Sequence, residues 1–132
     1  MPKKSDDVQK KPRKRSSRYS KTKGSSYERQ IAKELRDLGY SGVVTARSES
    51  KSTDDKKIDL IDTEDKLGFY AQLKKTQNIP SYFKIESECP LKDKPFVIFW
   101  AAQSKKAVNI CTQGELVILP KEYFYELIKI KE

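Results

Sequence analysis

Between residues 25 and 38 apolar side chains fall at Tyr27, Ile31, Leu35 and Leu38, with Ala32 widening the stripe. This spacing of three and four predicts an amphipathic helix. Ser25 followed by Glu28 reads as its capping box, and Gly39 as the residue just past its end. Val43 to Ala46 reads as a short strand, residues 47–56 as a polar loop, and Ile58 to Ile61 as a second strand. A turn through Asp65–Gly68 leads to a third strand, Phe69 to Lys74, closing a hairpin. Residues 80–88 predict a short helix stopped by Pro90, and Phe96–Ala102 is the strongest apolar run, a central strand covered on both faces. Short strands follow at Ala107–Cys111 and Leu116–Leu119, then a last helix over about 121–129 behind Pro120. Helix, three strands, helix, further strands and helix predict an α/β layer architecture with a mixed sheet.

Charge changes the picture at one end. Residues 1–23 hold ten Lys and Arg against Asp6 and Asp7, a net +8, while residues 24–132 carry +1. Met1, Val8 and Tyr19 are the only hydrophobic residues of that basic segment. So little apolar surface does not offset ordering entropy, so a disordered tail over 1–23 and one domain over 24–132 are expected. The tail reads as a polyanion-binding arm, with a solubilising or targeting tail as the alternative. No apolar run reaches the roughly 18 residues that span a membrane, and none follows the basic start as a secretory signal would. The expected location is the cytoplasm, or the host cytoplasm for a viral chain.

The chain of 132 residues has no histidine, which excludes Ser-His-Asp triads, Cys-His pairs and His-ligated zinc. Cys89 and Cys111 are too few for a zinc cluster and read as two buried thiols. Metal chemistry is left to oxygen ligands, and so to magnesium, manganese or calcium.

Oxygen ligands are available in the hairpin. Alternation puts Tyr70, Gln72 and Lys74 on one face of the third strand and Phe69, Ala71 and Leu73 on the other. A short turn brings Asp59 opposite Gln72. A carboxylate beside an amide oxygen can hold a hard divalent cation, and a neighbouring lysine can stabilise charge on a phosphate or help activate the attacking water. From spacing alone these three residues read equally as solvated polar positions, and Glu28 as a helix cap. Phe96, Phe99 and Trp100 read as core, and Tyr123, Phe124 and Tyr125 as core or as a dimer seam.

Residues 23–39, KGSSYERQIAKELRDLG, resemble the opening of archaeal-type Holliday junction resolvases. The order continues with a serine-containing loop at 47–52, Ile58-Asp59-Leu60-Ile61, and a strand closing in Gln72-Leu73-Lys74. This order is similar to the PD-(D/E)xK nuclease signature over about residues 23–76, with glutamine in place of the second acid and no proline before Asp59. The resemblance implies a restriction-endonuclease-like core and a Mg²⁺-dependent endonuclease, with Mn²⁺ as a substitute. It implies that Asp59 is the principal metal ligand, Gln72 the second, Glu28 a further active-site carboxylate and Lys74 the catalytic lysine. DNA contacts fall to Lys23, Arg29, Arg47, Ser48, Ser50, Lys51 and Lys75, with one serine of the 48–52 loop at the scissile phosphate. A homodimer cutting a four-way junction twice is implied. The alternatives are a related nuclease acting on flap or duplex DNA, and a non-catalytic nucleic-acid-binding module on the same fold.

Overall fold

The computed structural model describes residues 14–46, 57–106 and 109–131, with side chains from Ser26 onward. Elements run in the order α1 (Lys14–Asp37), β1 (Val43–Thr45), β2 (Leu60–Asp62), β3 (Tyr70–Thr76), α2 (Tyr82–Glu88), β4 (Phe96–Lys106), β5 (Asn109–Ile118) and α3 (Lys121–Ile128). The strands form one sheet in the order β1-β2-β3-β4-β5. Only the β3–β4 pair is parallel, and α2 lies in its crossover. The expected mixed α/β architecture is the one observed.

Each face of the sheet owns a core. On one, Tyr27, Ile31, Ala32 and Leu35 of α1 pack on Val43, Leu60, Ala71, Leu73 and Ala101. On the other, Phe96 and Ile98 pack with Ile58 and Cys89, joined by Tyr70, Tyr82 and Ile85. Full burial of such side chains contributes about 1.5–3 kcal/mol each. Phe96 and Trp100 are buried and Phe99 half-buried, as core positions should be. Tyr123 reaches Phe69 with ring centroids 6.1 Å apart, which holds α3 on the α1 side of the sheet, while Phe124 and Tyr125 stay exposed.

Four sequence expectations are corrected. Helix α1 starts eleven residues before Ser25, so Glu28 lies in mid-helix and not in a first turn. No proline interrupts 14–24, and its Lys, Arg and Ser residues continue a helix well enough for the downstream turns to extend through them. Leu38 is 74% exposed, because the helix closes before it. Gly39, at φ 116°, donates to Arg36 O at 3.0 Å while Tyr40 donates to Leu35 O at 3.1 Å, the paired bonds of a Schellman stop. The two short strands expected over 107–119 are one, β5, paired with β4 along its length and bulged at Gln113, between the pairs Ala102–Gly114 and Gln103–Thr112. Cys89 is buried but Cys111 is exposed on β5.

The β2–β3 turn is built on Asp62. Its carboxylate accepts from the backbone N–H of Glu64 at 3.0 Å and of Lys66 and Leu67 at 2.7 Å each. Burial pushes the Asp62 carboxyl up, but those donors outweigh it and hold its pKa below the usual carboxylate value. A lowered folded-state pKa contributes stability above the unfolded value near 3.9, lost as pH falls through the folded one. Asp62→Ala is therefore expected to cost about 1 kcal/mol near neutral pH, these donors lying close to solvent. The gap from the parent chain should close below about pH 4 in denaturant titrations.

Candidate active site at the β2–β3 junction

The β2–β3 ladder is short, with Leu60 and Ala71 its paired residues. Before it, Asp59 holds the two strands together. Its N–H donates to Ala71 O at 2.8 Å, its carbonyl accepts from Ala46 N–H at 2.8 Å, and its Oδ2 accepts from Leu73 N–H at 2.8 Å. The carboxylate thus takes the place of a backbone acceptor in the ladder. The bonds of Asp59 to Ala71 and Leu73 bracket Gln72, so Asp59 lies beside it at the end of the ladder.

Gln72 is 9% exposed, and its Oε1 accepts no hydrogen bond from any described residue. A buried carbonyl oxygen without a donor costs about 1–3 kcal/mol, so an orphan of this kind calls for a physical reason. Lys74 follows two residues on along β3, on the same face and half-buried. In the parallel register Gln72 pairs with Ile98 and Lys74 with Trp100, which sets both on the α2 side.

Glu28 is buried at 5% exposure, between Tyr27 and Ile31 of the α1 core. Its helix packs on the Ala71–Leu73 face, so Glu28 approaches β3 from the layer opposite Gln72 and Lys74. The structure brings Asp59, Gln72 and Lys74 together at one strand junction, with Glu28 arriving through the helix layer. Next to it, the Tyr27 hydroxyl is held protonated first by burial and then by the charge of Glu115 on β5.

Of the expected DNA contacts, Arg29 is exposed on α1 and donates to Ser26 Oγ at 3.4 Å, while Lys75 is half-buried and alternates to the α1 side. Arg47, Ser48, Ser50 and Lys51 lie outside the described residues, as does the Lys23 side chain. Among the described residues no three Cys, Asp or Glu side chains gather as a metal cluster. The Asp59 carboxylate and the orphaned Gln72 oxygen are nonetheless hard oxygen donors of the kind a magnesium-sized cation takes.

Two concavities flank the junction. A cavity of about 240 Å³ lies at the turn end, lined by Leu60, Asp62, Leu67, Tyr70 and Lys94, and holds none of the candidate residues. A larger groove of about 640 Å³ opens at the other end, lined by Lys74, Thr76, Gln77, Asn78, Pro80 and Ile85. The sequence reading stopped at Lys75 and missed this groove. Its one visible signal was the polar run Thr76-Gln77-Asn78 directly after a catalytic-type strand.

A family model for archaeal Holliday junction resolvase (Hjc) matches residues 19–109. The chain belongs to that family. The matched span contains Glu28, Asp59, Gln72 and Lys74 and ends at the first residue of β5. At family level this is a nuclease family acting on Holliday junctions. Comparison with curated proteins and with solved structures finds no match. Among the described residues no helix is long and apolar enough to cross a membrane.

Asp59 is an acceptor between the strands, and its variants should separate that role from its charge. Asp59→Ala leaves Leu73 N–H without its acceptor and is expected to cost about 1–3 kcal/mol of stability. Asp59→Asn keeps an oxygen there and should cost less, about 1 kcal/mol, in denaturant titrations. It is the cleaner probe of the carboxylate charge.

Proposed function

We propose that the chain is a divalent-metal-dependent endonuclease that resolves four-way DNA junctions by hydrolysing a pair of phosphodiesters. The observation that carries this reading is the orphaned, buried Gln72 oxygen between Ala71 and Leu73, the two residues that Asp59 hydrogen-bonds, one alternation from Lys74 and within the span that matches the family. Asp59 and Gln72 would hold the ion, Mg²⁺ or Mn²⁺, with Glu28 adding charge from the helix layer. The ion supplies Lewis-acid polarisation of the phosphate and a more acidic attacking water.

The chain's own residues do the rest. The Leu73 N–H fixes Asp59, so the ligand is preorganised rather than drawn in by the ion. Lys74 sits where its ammonium offsets charge developing on the phosphate oxygens as the water oxygen bonds to phosphorus and the ester oxygen leaves. Gln72 in place of an acid leaves the site one negative charge poorer, which lowers the repulsion met by an incoming phosphate and also lowers affinity for the cation.

Two nicks require two sites, so the proposed assembly is a homodimer. Leu116, Val117, Phe124, Leu127 and Ile128, each about half exposed, provide apolar surface for it at the C-terminal side. The net +8 of residues 1–23 adds sequence-independent grip on the junction arms. The reading places the protein with the DNA, in the cytoplasm of a cell or of a viral host.

Labelled four-way junctions, flaps and linear duplex incubated with Mg²⁺ test this reading. Symmetric paired nicks on the junction are expected, lowered at least about 100-fold in Asp59→Asn and Lys74→Ala. Binding without cutting in either Mg²⁺ or Mn²⁺ would identify a non-catalytic module. Equal cutting of all three substrates would identify a nuclease of other specificity.

A further inference from the structure

We propose that the far end of the β4–β5 ribbon is a DNA-contacting finger, which lies along one arm of the junction and grips its phosphate backbone without regard to sequence. The inference rests on the DNA-binding part of the reading above and adds a binding element to it.

The ribbon outgrows the sheet that carries it. Strand β3 ends at Thr76, which pairs with Ala102 of β4. From Gln103 to Lys106, β4 keeps β5 as its partner, in the register Gln103–Thr112 to Lys106–Asn109. Four residues of strand extend about 13 Å. A two-stranded ribbon is marginal on its own, and this one is tied at its root. Gln103 is 7% exposed and donates from Nε2 to Ala101 O at 3.2 Å and to Thr112 Oγ1 at 3.0 Å. The bulge at Gln113 sits at the same level, and a bulge adds bend and twist to its strand. Beyond this root Lys105, Asn109, Ile110, Cys111 and Thr112 are exposed. The core gains nothing from that length.

Place and charge identify the occupant. Strands β3 and β4 are parallel and Lys74 pairs with Trp100, so the ribbon rises from the end of the sheet where β3 runs out past Lys74. Its last pair, Lys106–Asn109, lies six residues beyond Trp100, which is about 20 Å of strand. Helix α1 starts at that end as well. Gln30 reaches Glu115, which pairs with Ala101, while Arg36 lies farther back, bonded to Val43 O. The basic N-terminal segment and the ribbon therefore leave the domain in the same direction, and a duplex presented to Lys74 meets both. From Gln103 to Gly114 the sequence holds Lys105 and Lys106 and no acid. Cations without neighbouring acids suit a phosphate track. A two-stranded ribbon also fits the roughly 12 Å width of a major groove. Contacts to the backbone fix position and carry no base preference.

Two measurements on the full chain test this, with Ca²⁺ in place of Mg²⁺ so that neither needs cutting. Cys89 is buried and Cys111 is exposed on the ribbon, so a maleimide dye reports on the ribbon. A four-way junction should slow the labelling of Cys111 by about tenfold or more, because reaction requires access to the thiol. In the second measurement Lys105→Gln/Lys106→Gln is titrated with the junction over a range of salt. Affinity should fall about tenfold, and the slope of log affinity against log salt should shrink by about two, one for each lost phosphate contact. Unslowed labelling in the complex, labelling already slow in the free chain because a second copy covers the ribbon, or an unchanged salt slope would overturn the proposal. Protection and a reduced slope without cutting in Mg²⁺ keep the finger and remove the nuclease reading. Cutting in Mg²⁺ with Cys111 unprotected does the reverse.

Discussion

The hydrogen bond from Leu73 N–H to Asp59 Oδ2, 2.8 Å long, is the constraint on which the site depends. The β2–β3 ladder stops where Asp59 begins, and beyond that point the Asp59 side chain and its own N–H are what keep the strands in register. Strand side chains alternate with a period of two, so a slip by one residue would turn Gln72 and Lys74 into the α1 core and send Ala71 and Leu73 outward. A single carboxylate therefore sets both the register and the place where charge is concentrated. It serves as a structural acceptor through Oδ2.

The rest of the fold makes that arrangement affordable. Helix α1 fills one face with Tyr27, Ile31 and Leu35, so β3 needs only small or aliphatic groups there. The other face, under α2, is thinner, and it is here that Gln72 is enclosed with its oxygen unpaired and Lys74 leads out to the groove. Trp100, paired with Lys74 across the parallel ladder, closes the floor and ties down the turn that follows β3. Strand β3, its exit turn and the helix beyond thus form one continuous surface on one side of the sheet.

Much of this was legible in the chain, and the failures have physical causes. Alternation over residues 69–74 assigned the two faces of β3, and the short turn brings Asp59 close to Gln72, between its bonds to Ala71 and Leu73. The pattern Ser25-Ser26-Tyr27-Glu28 fits a capping box, but nothing upstream breaks a helix, so the box lies inside a longer one and Glu28 is buried by packing. Leu38 keeps the helical spacing yet falls beyond the Gly39 stop. Strand β4 outruns its apolar stretch, because Ser104–Lys106 gain backbone partners in Asn109–Cys111 and need no core. The groove was invisible because it joins residues of a strand end, a turn and a helix, and no periodicity links them.

The central claim, that Asp59 and Gln72 form a cation site with a neutral second ligand, is met most directly by calorimetric titration of the full chain with Mn²⁺ and Mg²⁺. One site is expected per chain, lost in Asp59→Asn and tightened by about tenfold or more in Gln72→Glu, where a charge replaces a dipole. No binding by the parent chain, or binding that Asp59→Asn leaves unchanged, would contradict the account.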